Sequence, residues 1–375
     1  MTIDFNRPAM AGNELEYIRQ AIASEHTSGD GSFTRRCNEW LERRLDAPKA
    51  LLTHSCTAAL EMAALLFNLN AGDEVIMPSF TFVSTANAVV LRGAVPVFVD
   101  IRPDTLNLDE DLIDAAITSR TKAIFVVHYA GVGCAMDRVM QIADRHGLLV
   151  AEDAAQGLLA RYQGRQLGTI GHLGAIRFHE TKNIISGEGG ALIINDRSLI
   201  ERAEIIREKG TNRKLFLRGE VDKYTWVDVG SSYLPSDVIA AYLLAQLEQA
   251  DRLLMERCAI WQRYHEGLAA LENDGACRRP IVPSDCDPNA HIYYLLLNNA
   301  AARDTLIAKL AGLGIRAPFH YVPLHDSPAG IRFGRTAGTL THTEDLSARL
   351  LRLPLWHGMK DEPEQVIDAV RAALH

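Results

Sequence analysis

The amine of Lys182 is the group in this chain best suited to forming a covalent bond with a carbonyl compound. It lies in residues 174–195, GAIRFHETKNIISGEGGALIIN, between two short apolar runs bounded by glycine and polar residues. Such runs read as buried strands. Lys182 then falls on a loop carried by a rigid sheet, where reactive groups are commonly placed. A lone lysine is more often a solvated surface cation, so the residues upstream decide between the two readings. Asp153 follows an apolar run at 148–152 and stands 29 residues before Lys182. A carboxylate there is either a helix cap or the partner of a cationic ring nitrogen. Ser55, Cys56 and Thr57 join a short run at 50–53 to an alanine- and leucine-rich stretch at 58–68. Their side chains either cap the helix or help hold a phosphate dianion at its positive end. Phe82 either packs in the core or stacks on a flat ring.

The elements that must position these groups alternate. Strand signals at 50–53, 75–77, 96–100, 123–128 and 148–152 are separated by helix signals at 58–68, 81–91, 109–117 and 136–146. This predicts βαβ units and a mostly parallel sheet, whose ligands bind beyond the carboxyl ends of the strands. Ser55, Cys56, Thr57, Phe82, His128 and Asp153 all fall at those ends and predict one crevice. The chemistry that uses this set is a Schiff base between Lys182 and pyridoxal 5'-phosphate. Asp153 would keep the pyridine nitrogen protonated so that the ring accepts electrons. The cluster Gly187-Glu188-Gly189-Gly190 precedes a strand, which is the wrong order for a dinucleotide-binding turn.

Elsewhere, helical spacing at 12–24 puts Leu15, Ile18 and Ile22 on one face. Residues 28–32 read as a turn or as a flap over a site, and 33–45 as a helix. A helix at 198–208 leads into a polar connection, with Phe216, Tyr224 and Trp226, that runs to 229. Pro235-Ser236-Asp237 opens a helix expected to reach about residue 256 and to bridge to a second unit. The C-terminal part reads as a strand at 291–297, helices at 302–313, 344–353 and 362–374, and an extended stretch at 315–324. We expect a large domain over residues 1–250 and a smaller α/β domain over 251–375. His320, Tyr321 and His325 cluster in the extended stretch. With no Cys or carboxylate at ligand spacing, substrate hydrogen bonding suits them better than a metal.

The 375 residues, 47% hydrophobic and 23% charged, suffice for a large buried core. A net charge of −8 argues against a nucleic-acid partner. The first residues show no basic and apolar leader, no apolar run is long enough for a membrane span, and the six cysteines form no Cys-x-x-Cys pair. These features predict a cytoplasmic protein with reduced thiols.

In its stretches EDAAQG, HETKN, HYAGVGCAMD, REKGTNR, GSSYL and LRLPL, the chain resembles the DegT-type sugar aminotransferases, and the resemblance runs over essentially its whole length. The resemblance implies a type I pyridoxal-phosphate aminotransferase fold. It implies that Lys182 is the Schiff-base lysine and Asp153 the partner of the pyridine nitrogen. It also implies that Gln156 bonds the ring hydroxyl, that Phe82 stacks on the ring, and that Cys56 and Thr57 belong to the phosphate cradle. Ser232 matches a position that reaches the neighbouring subunit's phosphate. Arg177 departs from the family's usual serine: its fork suits a phosphate, and its bulk crowds a cofactor. The implied reaction takes glutamate as amino donor and a dTDP-linked 4-keto-6-deoxyhexose as acceptor, giving the galacto or the gluco amine, in a homodimer with shared active sites. A sugar dehydratase of similar build carries histidine in place of the lysine. A cofactor-binding regulator would carry a DNA-binding appendage, and none is seen.

Overall fold

The computed structural model describes residues 2–374. Its strands, in chain order, are β1 (Lys49–Thr53), β2 (Glu74–Pro78), β3 (Val95–Val99), β4 (Thr121–Val127), β5 (Leu149–Asp153), β6 (Arg161–Tyr162), β7 (Arg165–Gln166), β8 (Leu173–Arg177), β9 (Gly190–Ile194), β10 (Cys277–Arg278), β11 (Cys286–Asp287), β12 (Tyr293–Leu297), β13 (Arg335–Thr336) and β14 (Leu350–Leu353). Eight of them form one sheet in the order β1-β9-β8-β5-β4-β2-β3-β13. β9 pairs antiparallel with both β1 and β8, and every other pair is parallel. Buried side chains on both faces of this sheet explain the continuous apolar runs. The expected α/β architecture with a mostly parallel central sheet is what the chain forms.

Two smaller sheets, β10-β12-β14 and β11-β6-β7, complete the fold. The first belongs to a separate C-terminal core containing Tyr293, Leu295, Leu351 and Leu353. Helix Ala250–Gly267 runs between the cores: Ala250 and Leu253 pack in the core against the large sheet, Ile260 and Tyr264 in the C-terminal one. The two regions exchange segments. β13, from the C-terminal part, joins the edge of the large sheet, and Ile3 pairs with Ile315 and packs in the C-terminal core.

Four expectations need correction. The helix at the N-terminus, Glu14–Ala23, leaves Leu15 73% and Ile22 58% exposed. It buries Ala21 and Glu14 instead, and Glu14 accepts hydrogen bonds from the amides of Ala11 and Gly12 and from Gln246. The single long helix from 237 is two, Asp237–Leu247 and Ala250–Gly267. Neither Gly nor Pro marks the break, and the second helix turns to reach the other core. Residues 350–353 are strand β14, because they pair with β12; the helix before them is Thr341–Arg349. The region 109–117 is a 3-10 turn, Glu110–Leu112, and a short helix, Ile113–Ala116. Among the described residues, no helix is long and apolar enough to cross a membrane.

Candidate active site

The carboxyl ends of adjacent strands bring the sequence-predicted groups together. Val127, Asp153 and Arg177 are the last residues of β4, β5 and β8. In register, Val127 faces Asp153, and Asp153 faces Ala175. Cys56 opens helix Cys56–Leu66 directly after β1. β9 lies so close to this helix start that a Cβ on Gly190 would sit 2.4 Å from the Cys56 amide nitrogen. Only glycine permits that approach.

Lys182 lies on the loop between β8 and β9. Backbone bonds from the Phe178 amide to the Gly189 carbonyl, and from Glu180 to Gly187, close the loop into a ladder. Its Nζ lies 3.4 Å from His291 Nε2. Asn183 orients that imidazole: Asn183 Nδ2 donates to the Asn289 carbonyl, which leaves its Oδ1 to accept from His291 Nδ1 at 3.0 Å. Nε2 is then a bare acceptor facing the lysine. Burial and nearby cations hold the His291 pKa well below the usual value, consistent with that neutral form. Arg257 clamps the same segment through the carbonyls of Ala290 and His291.

Two connected chambers surround these groups. The inner one is lined by Cys56, Thr57, Ser84, Asp153, Gln156, Arg177, Lys182 and Tyr321, among others, and encloses about 20 Å³. The outer one measures about 620 Å³ and shares Phe82, Gln156, Arg177, Lys182 and Tyr321 with it. Asp153, 5% exposed, accepts from the Thr85 hydroxyl at 2.6 Å and the Ala155 amide at 3.1 Å. Among the described residues, no cation pairs with it. Gln156 accepts from the Ala130 amide and donates to the Tyr321 hydroxyl at 3.0 Å. Thr57 and Ser84 exchange a hydroxyl hydrogen bond of 2.8 Å. The Arg177 guanidinium stands 5.4 Å from the centre of the Phe82 ring, a cation–π contact. Burial, and then the Arg177 charge, lower the Lys182 pKa to about 7. The amine is therefore substantially neutral, hence nucleophilic, near neutral pH. Burial pushes the Cys56 thiol well up, so its sulfur is a packing group and not an alternative nucleophile.

Other predicted residues lie elsewhere. His128 is fully buried on the opposite side of the sheet. It bonds Glu152 at 2.8 Å and accepts from the Cys134 amide. Glu152 and Asp153 point to opposite faces because strand side chains alternate, and Glu152 serves the turn at Gly168–Gly171. Ser55 takes the capping role, accepting from the Ala58 amide at 3.1 Å. Ser232 is exposed and lines neither chamber. His320 and Tyr321 line the outer chamber. His325 does not: its Nδ1 bonds Ser79 at 2.7 Å, and its Nε2 is 3.3 Å from both Asp326 and Glu344. Carboxylates thus do approach His325, one of them from a helix 19 residues away in sequence, and the three groups lie close enough together to share a metal ion.

The matching family model, described as the DegT/DnrJ/EryC1/StrS aminotransferase family, spans residues 8–371. The chain belongs to this family. Among relatives, GDP-perosamine synthase of Caulobacter vibrioides is 32% identical over 98% of this chain and 96% of its own. Among solved structures, DesV of S. venezuelae superposes with a TM-score of 0.90 at 31% identity, covering 100% of this chain and 99% of that one. NtdA of Bacillus subtilis, solved with bound cofactor PMP, gives 0.87 at 27% identity over 97% of this chain and 83% of that one. As a DegT-family aminotransferase, the chain uses pyridoxal phosphate.

The chambers suit that cofactor. A buried carboxylate without a cation awaits a pyridinium nitrogen, a primary amine of lowered pKa awaits an aldehyde, and a helix start beside two hydroxyls awaits a phosphate.

Proposed function

We propose that this DegT-family aminotransferase aminates a dTDP-linked 4-keto-6-deoxyglucose at C4, with glutamate as donor, to give the galacto amine. The observation that carries the catalytic assignment is the pairing of Lys182, an amine of lowered pKa, with Asp153, a buried carboxylate lacking a cation, in one chamber. When bound, pyridoxal phosphate supplies an electrophilic carbonyl and a sink for the electrons of a carbanion. Asp153 holds the positive charge of the ring nitrogen, and Thr85 fixes the carboxylate. Phe82 covers one ring face and Gln156 orients the ring hydroxyl. Cys56 and Thr57 contribute the helix start that faces the phosphate. Lys182 holds the cofactor. Its Nζ would take the donor α-proton and, in the second half-reaction, deliver a proton to the sugar carbon. His291, a neutral acceptor, steers the amine. His320 and Tyr321 line the space left for the sugar. Ser232 would reach the phosphate of a neighbouring subunit in a homodimer.

A second reading, a GDP-linked keto sugar as acceptor, is favoured by the similarity to GDP-perosamine synthase. The test incubates the purified protein with cofactor, glutamate and dTDP- or GDP-linked 4-keto-6-deoxyhexoses. Products are followed by mass spectrometry, and the C4 configuration is read from proton couplings. Turnover of the dTDP sugar to an axial C4 amine supports the proposal. An equatorial amine, or preference for the GDP sugar, replaces its finer part. Failure to form 2-oxoglutarate with any acceptor contradicts the whole.

A further inference from the structure

The outer chamber has an uncompensated charge. Arg177, Lys182, Arg257 and Arg352 line it, and no Asp or Glu does. Two of these cations have work elsewhere: Lys182 faces the reacting carbon, and Arg257 is spent on the carbonyls of Ala290 and His291. Arg177 is shared with the inner chamber. Arg352 remains. Its one side-chain hydrogen bond runs from Nη2 to the Phe319 carbonyl at 3.0 Å. Its Nε is buried with no partner. Phe5 stacks 4.5 Å from the guanidinium carbon and helps fix its plane. No carboxylate pairs with it among the described residues. A buried, unsatisfied guanidinium donor is costly to leave unpaired, and the planar fork matches a carboxylate in two parallel bonds.

Resting on the reading of this site as an aminotransferase centre, we propose that Arg352 binds a carboxylate of the amino donor and thereby selects an anionic amino acid. The diphosphate of the sugar nucleotide is the competing anion. The carboxylate is favoured because Arg352 lines the same chamber as Lys182 and His320, near enough for its charge to act on the Lys182 amine. In the donor, an anionic group lies on the reacting carbon or a few bonds from it. In the acceptor, the nearest phosphate lies across the sugar ring.

The experiment separates the half-reactions in the holoenzyme. Arg352→Gln and Arg352→Lys are loaded with cofactor, and absorbance follows conversion by L-glutamate; the aminated form is then mixed with keto sugar. Binding of glutarate, an unreactive dicarboxylate, is titrated in parallel. Arg352→Gln should lose about 100-fold in glutamate efficiency and in glutarate affinity, the scale of breaking a buried charge pair. The keto-sugar step should change less than about threefold, and Arg352→Lys should restore part of the glutamate step. A glutamate step within about threefold of wild type overturns the proposal. So does a loss confined to the keto-sugar step, which would assign Arg352 to the diphosphate. If Arg352→Gln does not fold, Arg352→Lys and the glutarate titration of the wild-type protein carry the test; wild-type protein that ignores glutarate refutes it. A wild-type protein that never takes the cofactor onto Lys182 defeats the parent reading instead.

Discussion

The Lys182 amine should titrate near pH 7 in protein free of cofactor, whereas an ordinary lysine does so at about 10.4. At pH 8 about 90% of the amine would be neutral, against about 0.4% for an unperturbed lysine, a ratio of roughly 200. The perturbation is Arg177→Met. Burial is the larger cause of the depression and the Arg177 charge the second, so the variant should titrate higher while staying below an ordinary lysine. At an effective dielectric constant of ~20, like charges about 4 Å apart repel by about 4 kcal/mol and less as they separate, so losing the Arg177 charge should raise the midpoint by on the order of one pH unit or more. The assay follows acylation of Lys182 by a small amine reagent from pH 5 to 11, quantified on its peptide by mass spectrometry. The midpoint of the profile does not depend on how easily the reagent enters, as an absolute rate would. A wild-type midpoint above about 9, or an Arg177→Met midpoint no higher than wild type, would refute the electrostatic reasoning.

Asp153→Asn should lower the glutamate half-reaction at least about 100-fold while the protein stays folded. Thr85→Val, which removes the 2.6 Å hydrogen bond to that carboxylate, should cost about 10-fold or more, the ~1.5–3 kcal/mol of a hydrogen bond to a charged group; stopped-flow absorbance checks both. Glu74→Gln tests how the C-terminal segment is tied to the large sheet. Fully buried Glu74 bonds Arg120, Arg335 and Thr118, so the variant should lose about 3 kcal/mol in urea unfolding. Arg335, foremost, lowers the Glu74 pKa to about 2. The folded-state value lies below the unfolded one, so this stabilisation is present above about pH 4.5 and is lost as pH falls toward 2. The variant should therefore show a flatter stability profile across that window, and an unchanged slope would contradict it.

Much of the site was legible because its residues sit at strand ends within local motifs. Asp153 closes a five-residue strand, Cys56 opens the helix after β1, and Lys182 follows β8 by five positions. What escaped was decided by facing and by distance in the chain. His128 follows its strand just as Asp153 ends one, yet it lies on the other side of the sheet, and a one-residue step is enough for that. Thr85 reads as an ordinary helix residue until β5 brings Asp153 to it across 68 positions. His291 and Arg257 reach Lys182 only because helix Ala250–Gly267 carries the chain between two cores. Arg352 sat inside a stretch read as helix, and only pairing of β14 with β12 turns it toward the chamber. For Arg352 the sequence did carry a faint signal, an arginine within the apolar run LLRLPL.

The covalent assignment is tested most directly by reducing the cofactor-loaded protein with borohydride and mapping the modified peptide. The label should fall on Lys182 alone, and prior treatment with glutamate should prevent it. Label on any other lysine, or label at Lys182 that glutamate leaves unchanged, would contradict the account.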